Sequence, residues 1–534
     1  MDARMMCFWR FIVLTSAFYL LTISSVSTAS SDGDKSSECT QTTGECYNIL
    51  MLLPLSSRSH RSLFTTLAEA LAIRGHKIEL LVNHAPRNLH PNIREIYHGL
   101  HHFREDRYQL FEARASPWKM YELLIKGLPQ MTREIYRVPE VMELYKRRKD
   151  FHLVIIDNFF NMMMFPFAHE IPLVMMQASG VDIVQSAITG NVINPAYTPS
   201  NQLIVPQPMS LWHRILNGIV YITYGLLKQH YFLPRIQAEI TQILPDIPPL
   251  REIERNQSLA LLNYCYSFDT VLPLLPSQID IGAIHCRPGQ PLPQDLEDWI
   301  NGAGEAGVIY FSLGTVALGT TLPPALRELF INAFGRLKQR VLWKLEEELH
   351  IADNILVRKW LPQQDILAHP RVKLFISHGG MLSTQEAVFH AVPVLALPIL
   401  GDQPRNAQNI DINKLGIALI WEELTEDLLV DTIEKIINTK MYEENMEVAS
   451  RALRDQPQTP KERAVFWTEY IIRHQGAPHL RSPGAKLSWL EYLMIDVIFI
   501  LTVIIICFTF IWCWILRCAF RKLRTSKDKI LKRD

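Results

Sequence analysis

Apolar positions in the first half of the chain alternate between the pattern of a buried strand and that of an amphipathic helix. Residues 47–55 form an apolar run, residues 57–75 carry apolar side chains at helical spacing, and residues 78–82 return to the strand pattern. The same order recurs at 153–156, 162–170 and 173–176. Because strands alternate with helices, we predict a doubly wound parallel sheet.

The alternation stops in residues 195–249, which are richer in proline, and then resumes. Five short strands are predicted at 308–311, 341–343, 355–357, 374–376 and 394–397, and helices at 424–438, 441–453 and 460–473. A chain of 534 residues is too long for one core. We therefore predict two α/β domains, residues 30–284 and 285–455, with a ligand cleft between them. Residues 456–492 follow as C-terminal helices and a pre-membrane segment.

Hydrophobic segments lie at both ends of the chain. Residues 1–29 combine Arg4 and Arg10 with an apolar run and small residues near a cleavage point, which indicates a signal peptide; an uncleaved anchor is the alternative. Residues 493–516 contain an uncharged run long enough to cross about 30 Å of hydrocarbon as a helix. The basic tail, residues 517–534, is expected in the cytosol, which places the body in a lumen or outside the cell.

Composition and cysteine spacing exclude several kinds of partner. Lys plus Arg and Asp plus Glu each number 54, so no excess of positive charge favours nucleic acid. Cys39, Cys46, Cys265 and Cys286 are the cysteines of the lumenal body, and they permit disulfides but show no zinc spacing. Asn256 begins an Asn-Gln-Ser sequon and is a predicted N-glycosylation site.

A strand, a glycine turn and a helix follow one another at residues 374–391. The turn is Ser377-His378-Gly379-Gly380, and Ser383-Thr384-Gln385-Glu386 opens the helix. Two glycines let a diphosphate approach the backbone, and a helix N-terminus offers unpaired N–H groups. His378 and Ser383 add donors, and Glu386 is suited to accept hydrogen bonds from a ribose diol. The alternative is that Ser383 and Glu386 form only a capping box.

A longer arrangement carries a family resemblance. Trp360-Leu361-Pro362-Gln363 precedes the His-Gly-Gly turn, and Glu386, Pro393, Pro398 and Asp402-Gln403 follow it. Together they resemble the signature of the UDP-glycosyltransferase family, and the resemblance extends upstream to residues 311–315 and downstream to 460–477. It covers nearly the whole lumenal chain and looks most like the invertebrate branch. It implies the GT-B fold, two Rossmann-like doubly wound α/β domains facing a cleft, here with a C-terminal transmembrane helix.

The resemblance also implies a UDP-sugar site. Trp360 would stack on uracil, Gln363 would bond the nucleoside, and Glu386 would bond the ribose. The phosphate region would comprise His378, Gly379, Gly380 and Ser383, flanked by Ser312, Gly314 and Thr315, and the sugar hydroxyls would contact Asp402 and Gln403. The chain departs from the family at Leu382, where vertebrate and plant members usually have Asn, and at Ala391, where Gly is common. Leu382 cannot hydrogen-bond a phosphate, so it is left out of the predicted site.

Two polar residues of the first domain are the catalytic candidates. His60 follows the first strand, at the carboxyl edge where such sheets bind ligands, and Asp157 follows the strand 153–156. From the residues alone, His60 could be structural or merely exposed, and Asp157 could cap a helix. The resemblance implies that His60 is a general base oriented by Asp157, and that the anomeric configuration inverts.

Two other motifs do not support the chemistry that they usually indicate. Residues 302–307 satisfy the pattern G-x-G-x-x-G, but they precede the strand 308–311 instead of following a strand, so we interpret them as a loop and not as an NAD site. The Asp-x-Asp at residues 32–34 lies in the polar stretch after the signal peptide. We therefore predict a reaction without metal or other cofactor, in which the UDP-sugar is a co-substrate.

These features predict an inverting hexosyltransferase that moves glucose from a UDP-sugar donor to a small lipophilic acceptor. UDP-glucuronate and UDP-galactose are the alternative donors, and a non-catalytic carrier of lipophilic ligands on the same fold is the alternative of another class. The resemblance further implies a role in detoxification and a place in the endoplasmic reticulum membrane as a single-pass type I protein. The plasma membrane and a homo-oligomeric state stay open.

Overall fold

A computed structural model gives the structure of residues 46–103, 111, 114, 117–201, 203–315, 321–347 and 351–530. The predicted signal peptide at 1–29, the Asp-x-Asp at 32–34 and Cys39 lie outside the described residues. Cys46 is disulfide-bonded, whereas Cys265 and Cys286 are free thiols.

The first sheet has seven parallel strands in the order β3-β2-β1-β4-β5-β6-β7. Its strands are β1 (Asn48–Leu53), β2 (Lys77–Val82), β3 (Ile93–Tyr97), β4 (Leu153–Asp157), β5 (Leu173–Gln177), β6 (Leu259–Leu262) and β7 (Gln278–Asp280). The strand order reverses between β1 and β4. In such sheets, ligands bind at the carboxyl ends of the strands beside this switch point.

Among the described residues, seven α-helices belong to the same part of the chain. They are α1 (Arg58–Ile73), α2 (Pro117–Ile135), α3 (Pro139–Lys146), α4 (Ile183–Ile188), α5 (Leu211–Leu227), α6 (Leu233–Ile243) and α7 (Leu250–Arg255). The side chain of Ser57 caps α1 by accepting a hydrogen bond from the backbone N–H of His60. This cap places His60 in the first turn of α1, just beyond the carboxyl end of β1.

The pattern of β1 shows why both faces of the sheet are covered. Leu50 and Leu52 pack into one hydrophobic core, whereas Ile49, Met51 and Leu53 pack into the core on the opposite face. Successive side chains of a strand point to opposite faces, so a strand that is apolar throughout needs a helical layer on each side. The continuous apolar run in the sequence is therefore the signal of a doubly wound sheet.

The second sheet repeats this order in six parallel strands, β10-β9-β8-β11-β12-β13, with its switch point between β8 and β11. Its strands are β8 (Val308–Ser312), β9 (Arg340–Lys344), β10 (Ile355–Arg358), β11 (Val372–Ser377), β12 (Val394–Ala396) and β13 (Gly416–Ala418). The accompanying helices are α8 (Gln294–Asn301), α9 (Pro324–Gly335), α10 (Gln363–Leu367), α11 (Met381–Phe389), α12 (Gln403–Ile412), α13 (Glu426–Asn438) and α14 (Lys440–Arg454). Two doubly wound sheets with helices confirm the predicted fold class.

Helix α15 (Pro460–Arg473) returns from the second sheet to the first. Its residues Ala464 and Ile471 are fully buried in the core that also contains α1. The nearly buried carboxylate of Glu469 accepts hydrogen bonds from Arg74, at 2.6 Å, and pairs with His76 at 3.0 Å. The segment predicted as a separate unit, residues 456–492, therefore contains a helix that completes the first core.

The chain ends in a short helix α16 (Trp489–Tyr492) and a long helix α17 (Ile495–Ile530). Residues 495–522 of α17 form a segment long and apolar enough to cross a membrane, and none of its most apolar window is buried against the rest of the protein. The predicted membrane span, residues 493–516, overlaps this segment from residue 495 onward.

The structure differs from the sequence-based pattern in three places. Residues 195–249 are largely helical, with α5 and α6 joined by a π-helical turn, Lys228–Phe232. Residues 162–170, predicted as an α-helix, form a 3₁₀ helix over Met162–Ala168, where Pro166 lacks the N–H needed for an α-helical bond. The pattern does not predict β3, β6, β7 or β13, which have only three to five residues each.

Candidate active site

The first switch point brings together the two residues predicted for catalysis. His60 lies at the start of α1 and Asp157 is the last residue of the neighbouring strand β4. Nδ1 of His60 lies 2.9 Å from Oδ2 of Asp157. The side chain of Asp157 is 1% exposed, while that of His60 is 13% exposed. A buried carboxylate thus fixes the orientation of an imidazole that still reaches solvent.

The other carboxylate oxygen of Asp157 organises the loop after β4. Oδ1 accepts a hydrogen bond from the backbone N–H of Phe159 at 3.2 Å. The next helical residues are those of the 3₁₀ helix that starts at Met162, with Asn161 as its cap, so the alternative that Asp157 is a helix cap is wrong. The ring of Phe159 lies edge-on to His60, with centroids 5.3 Å apart, although Phe159 is 45% exposed.

The second switch point holds the predicted phosphate-binding turn. β8 ends at Ser312, and Gly314 follows with a φ of 85°. β11 ends at Ser377, and the half-buried ring of His378 lies between Gly314 and Gly380. A Cβ atom on Gly314 would lie 2.7 Å from this ring, and one on Gly380 would lie 2.5 Å from it. Both positions therefore need glycine to make room for His378.

Burial keeps His378 uncharged. Desolvation, assisted by the nearby charge of Lys344, lowers the pKa of His378 from 6.5 to about 4. Its Nδ1 is buried without a hydrogen-bond partner among the described residues. A neutral imidazole can donate one hydrogen bond to a phosphate and adds no charge of its own.

Helix α11 begins at Met381, with Gly380 as its N-cap and no side-chain capping bond. Ser383 therefore lies inside the first turn, so the alternative capping box of Ser383 and Glu386 is wrong. Instead, Nε2 of Gln363 donates to Oγ of Ser383 at 3.1 Å and to Oε2 of Glu386 at 2.5 Å. The three polar side chains predicted to bind the nucleotide and phosphates form one hydrogen-bonded cluster.

Sequence reasoning missed His285, which follows β7. Its side chain is almost fully buried, and Nε2 lies 3.2 Å from the backbone oxygen of Leu382 and 3.4 Å from Oε1 of Glu386. Glu386 is thereby held from both sides, by His285 and by Gln363. Because His285 lies about 100 residues before Glu386 in a loop without a known motif, the sequence offers no local signal for this contact.

Sequence reasoning also missed Lys344, the last residue of β9. Its Nζ donates to the backbone oxygen of Gly314 at 3.0 Å and to Glu346 at 2.7 Å. The strand predicted at 341–343 ends just before Lys344. The sequence could therefore have placed Lys344 at the carboxyl edge of the sheet, where ligands bind. Lys344 supplies a positive charge beside the turn that was predicted to face the phosphates.

The remaining predicted residues surround this cluster. Trp360 is 65% exposed ahead of α10, and Thr315 continues the turn after Gly314. Oε1 of Gln403 accepts from the backbone N–H groups of Ile399 and Leu400, so its amide nitrogen is the group that can donate to a ligand. Its side chain thus also stabilises the turn that leads into α12.

Asp402 lies where the two halves meet. Burial raises the pKa of its carboxyl, while hydrogen bonds from Asn406 and from the backbone of Met381, and the proximity of His60, oppose this rise. His60 of the first domain is thus one of the charged groups that act on Asp402 of the second. Leu382, excluded from the predicted site, packs against the cores of both domains, which explains an apolar residue at this position.

Comparison with known proteins agrees with this geometry. The family model described as "UDP-glucoronosyl and UDP-glucosyl transferase" matches residues 56–530. "UDP-glycosyltransferase UGT5" of Dactylopius coccus is 32% identical over 479 residues, which cover 86% of this chain and 90% of that protein. "UDP-glucosyltransferase 2" of the same insect is 32% identical over 502 residues, covering 91% and 96%.

A solved structure shows the same fold. The chain resembles a UDP-glucosyltransferase from Polygonum tinctorium, described as capable of glucosylating indoxyl, with a TM-score of 0.54 and 15% identity over 81% of this chain and all of that one. Relatives named as transferases favour an enzyme over a carrier protein. The chain therefore belongs to the UDP-glucuronosyl and UDP-glucosyl transferase family and is a glycosyltransferase that uses UDP-sugars.

Proposed function

We propose that the enzyme transfers glucose from UDP-glucose to a hydroxyl group of a small lipophilic acceptor, with inversion, and that His60 is the general base. The observation that carries the proposal is the 2.9 Å contact between Nδ1 of His60 and Asp157 at the switch point. Nδ1 of the imidazole is hydrogen-bonded to the carboxylate. The other nitrogen, Nε2, is therefore the one that takes the proton of the acceptor.

The proposed reaction is a single displacement. The proton of the acceptor hydroxyl passes to Nε2 of His60, the oxygen attacks the anomeric carbon, and the bond from that carbon to the β-phosphate oxygen breaks. UDP leaves with the electron pair, and its charge is stabilised by the N-terminus of α11 and by Lys344. Asp157 stabilises the imidazolium that forms.

The donor is proposed to occupy the second switch point. Trp360 offers an exposed ring for the uracil, and the cluster of Gln363, Ser383 and Glu386 offers hydrogen bonds to the nucleoside and phosphates. Asp402 lies near His60, where the sugar of a bound donor would be attacked. Glucose is proposed because a relative is named as a UDP-glucosyltransferase.

Phe159 supports a lipophilic acceptor. Its ring is 45% exposed and contacts His60, so an aromatic surface lies beside the proposed base. An exposed aromatic ring at this place favours a flat apolar molecule, because burying its surface stabilises the complex by about 25 cal/mol per Å². An acceptor that packs on Phe159 would present its hydroxyl group to His60.

The proposal includes membrane attachment and processing. Helix α17 is proposed to anchor the protein in the endoplasmic reticulum membrane, with the body lumenal and the basic tail cytosolic. Asn256 is proposed as a glycosylation site; it is exposed, but Ser258 of the same sequon is fully buried, so glycosylation would precede folding of this region. Transfer is proposed to need no metal, and full activity in EDTA is the expected result.

The donor and acceptor are tested with the purified full-length enzyme. UDP-glucose, UDP-glucuronate and UDP-galactose are each incubated with phenolic and aliphatic alcohols, and product and released UDP are measured. Glucoside formation that exceeds the other products is expected. A dominant glucuronide or galactoside would overturn the donor assignment, and preference for hydrophilic acceptors would overturn the acceptor class.

The role of His60 is tested by His60→Ala. Removal of the base should lower kcat by about 10²-fold or more, while the affinity for UDP stays within about twofold. His230→Ala, which changes an exposed histidine of the same domain, is the matched control and should change neither quantity. Equal loss of transfer rate and of UDP affinity in His60→Ala would contradict the assignment.

A further inference from the structure

Helix α5 exposes an extensive apolar surface. Seven large apolar side chains of this helix are between 36% and 69% exposed: Leu211, Trp212, Ile215, Leu216, Ile219, Ile222 and Leu226. Single exposed apolar residues are common, but a contiguous apolar patch on a protein surface usually marks an interaction site.

The exposed residues form one stripe along the helix. At 100° per residue, the seven positions fall within an arc of about 140°. Asn217 lies on the opposite side, is fully buried, and donates hydrogen bonds to the backbone oxygens of Pro195 and Thr198. The helix therefore contacts its own domain through a polar residue and turns its apolar face outward. This orientation is the reverse of a normal surface helix.

The stripe lies on a part of the domain that contacts the segment just before helix α17. Helix α4 packs against α5, and the residues just after α4 contact the pre-membrane segment. The hydroxyl of Tyr492 donates to the backbone oxygen of Gly190 at 3.4 Å and accepts from the backbone N–H of Val192 at 3.3 Å. Because α17 begins at Ile495, the point at which the chain would enter the membrane is fixed to this part of the body.

We propose that the apolar stripe of α5 lies in the interface of the same bilayer that holds α17, as a second membrane contact. This inference rests on the proposed anchoring by α17. His213 and Arg214, the residues of α5 that can carry a positive charge, fall outside the stripe, as do Tyr221 and Tyr224, which leaves the stripe uncharged as lipid contact requires. Trp212 on α5 and Trp489 on α16 are both exposed, and tryptophan is enriched where membrane meets water.

A second contact would orient the catalytic body. One helix alone leaves the body free to rotate above the membrane, whereas a second apolar contact of 17 residues, about 25 Å long, fixes one face toward it. A lipophilic acceptor concentrates in the bilayer, so a fixed orientation keeps one side of the body close to its source. Lipid is therefore the occupant to which the stripe is assigned.

The test is photochemical crosslinking of the full-length protein in nanodiscs of phosphatidylcholine. Ile219 is replaced by p-benzoylphenylalanine, and lipid adducts are quantified by mass spectrometry after irradiation. Val448 of α14 is the matched control, because it is 56% exposed and Ile219 is 55% exposed. Phe508 in α17, 68% exposed, is the positive control for the anchor.

The expected result is a yield of lipid adducts at position 219 about fivefold or more above that at position 448, and comparable with that at 508. A yield at 219 equal to that at 448, or crosslinks from 219 to a second copy of the chain, would overturn the inference while leaving the anchor intact. No adducts at 508 would overturn the anchor and the inference together. Transfer activity in the same nanodiscs shows whether each variant is folded. If the variant at position 219 is inactive, p-benzoylphenylalanine is placed at Ile222 instead.

Discussion

The two halves of the candidate active site occupy equivalent places in sheets of the same strand order but are built differently. In the first half, His60 and Asp157 are 97 residues apart in sequence and are joined by one direct contact. In the second half, Gln363, Ser383 and Glu386 lie within 24 residues, and Gln363 donates hydrogen bonds to both of the others. Both halves use the carboxyl edge at a switch point.

The difference indicates how each half responds to substrate. The contact of His60 with Asp157 leaves the proposed base in position before substrate binds. In the second half, Gln363 satisfies Ser383 and Glu386, so a nucleotide that binds them must exchange an internal hydrogen bond for one to itself, and the net gain is small. Changes in the first half should therefore affect mainly the rate of transfer, and changes in the second half mainly the affinity for UDP.

The largest effect is expected for Asp157→Asn. The amide preserves the size of the side chain but removes the charge that stabilises the imidazolium, so kcat should fall by about 10²-fold or more. The affinity for UDP, measured by calorimetry, should stay within about twofold.

Asp150→Asn provides the control for this change. Asp150 is exposed and lies just before β4, so its substitution should leave both kcat and UDP affinity unchanged. A loss of UDP affinity in Asp157→Asn as large as the loss of rate would show that the two halves do not act separately.

A smaller effect is expected for Glu386→Gln. Loss of the carboxylate removes a charged acceptor for the proposed ribose contact, so the Kd for UDP should rise by roughly tenfold while kcat at saturating donor changes little. A double-mutant cycle with Gln363→Ala should give a coupling free energy of about 0.5–1.5 kcal/mol, because the two side chains are in direct contact.

Additive losses in this cycle would contradict the internal hydrogen bond as a factor in UDP binding. A decrease in kcat as large as that of Asp157→Asn would show that Glu386 takes part in the chemical step. Either result would remove the distinction between a half that sets the rate and a half that sets the affinity.

The sequence predicts the fold where the strands are long and apolar. β1, β4, β8 and residues 374–376 of β11 have continuous apolar patterns because helices cover both faces of their sheets, and these strands also position the candidate site. β3 carries Arg94 and Glu95 at the edge of the first sheet, and β7 and β13 have three residues each. Such strands depend on pairing with neighbours, which a local pattern does not contain.

The candidate site is predictable to the extent that its contacts are local. Residues 360–403 form a recognisable series, and the edge position of His60 follows from the strand before it. The contact between His285 and Glu386 joins loops that only the tertiary fold brings together. The capping-box interpretation was wrong because Gly380, not Ser383, is the N-cap of α11, a shift of three residues that a local pattern does not resolve.

Ala391→Gly is expected to change the stability of the protein without changing the function of either half of the site. Ala391 follows α11 with a φ of 58°, a conformation that costs a residue with a side chain about 1 kcal/mol relative to glycine. The substitution should raise the midpoint of thermal unfolding by a few degrees and leave kcat and UDP affinity unchanged. A lower midpoint would show that contacts of the Ala391 side chain outweigh the backbone strain.

The smallest effect is expected for the pH dependence of donor binding. His378 has a pKa of about 4, so it stays neutral throughout the range in which an ordinary histidine becomes charged. The affinity for UDP-glucose, whose diphosphate is esterified at both ends, should therefore change less than about threefold between pH 8 and pH 5.5. Binding that tightens tenfold as the pH falls through 6.5 would show that His378 becomes charged, and calorimetry at each pH distinguishes the two outcomes.

A fall in pH should instead lower the free energy of unfolding. A pKa that is lower in the folded than in the unfolded protein means that the unfolded chain binds the proton first, so stability falls as the pH drops from 6.5 toward 4. For His378 the loss amounts to about 3 kcal/mol, and His378→Gln should lessen the fall of the unfolding midpoint over this range. An unchanged fall in His378→Gln would assign the acid sensitivity to other groups. With the expected, smaller fall, the two proposed site histidines differ as the two halves do: His60 exchanges protons during transfer, and His378 binds the donor without charge.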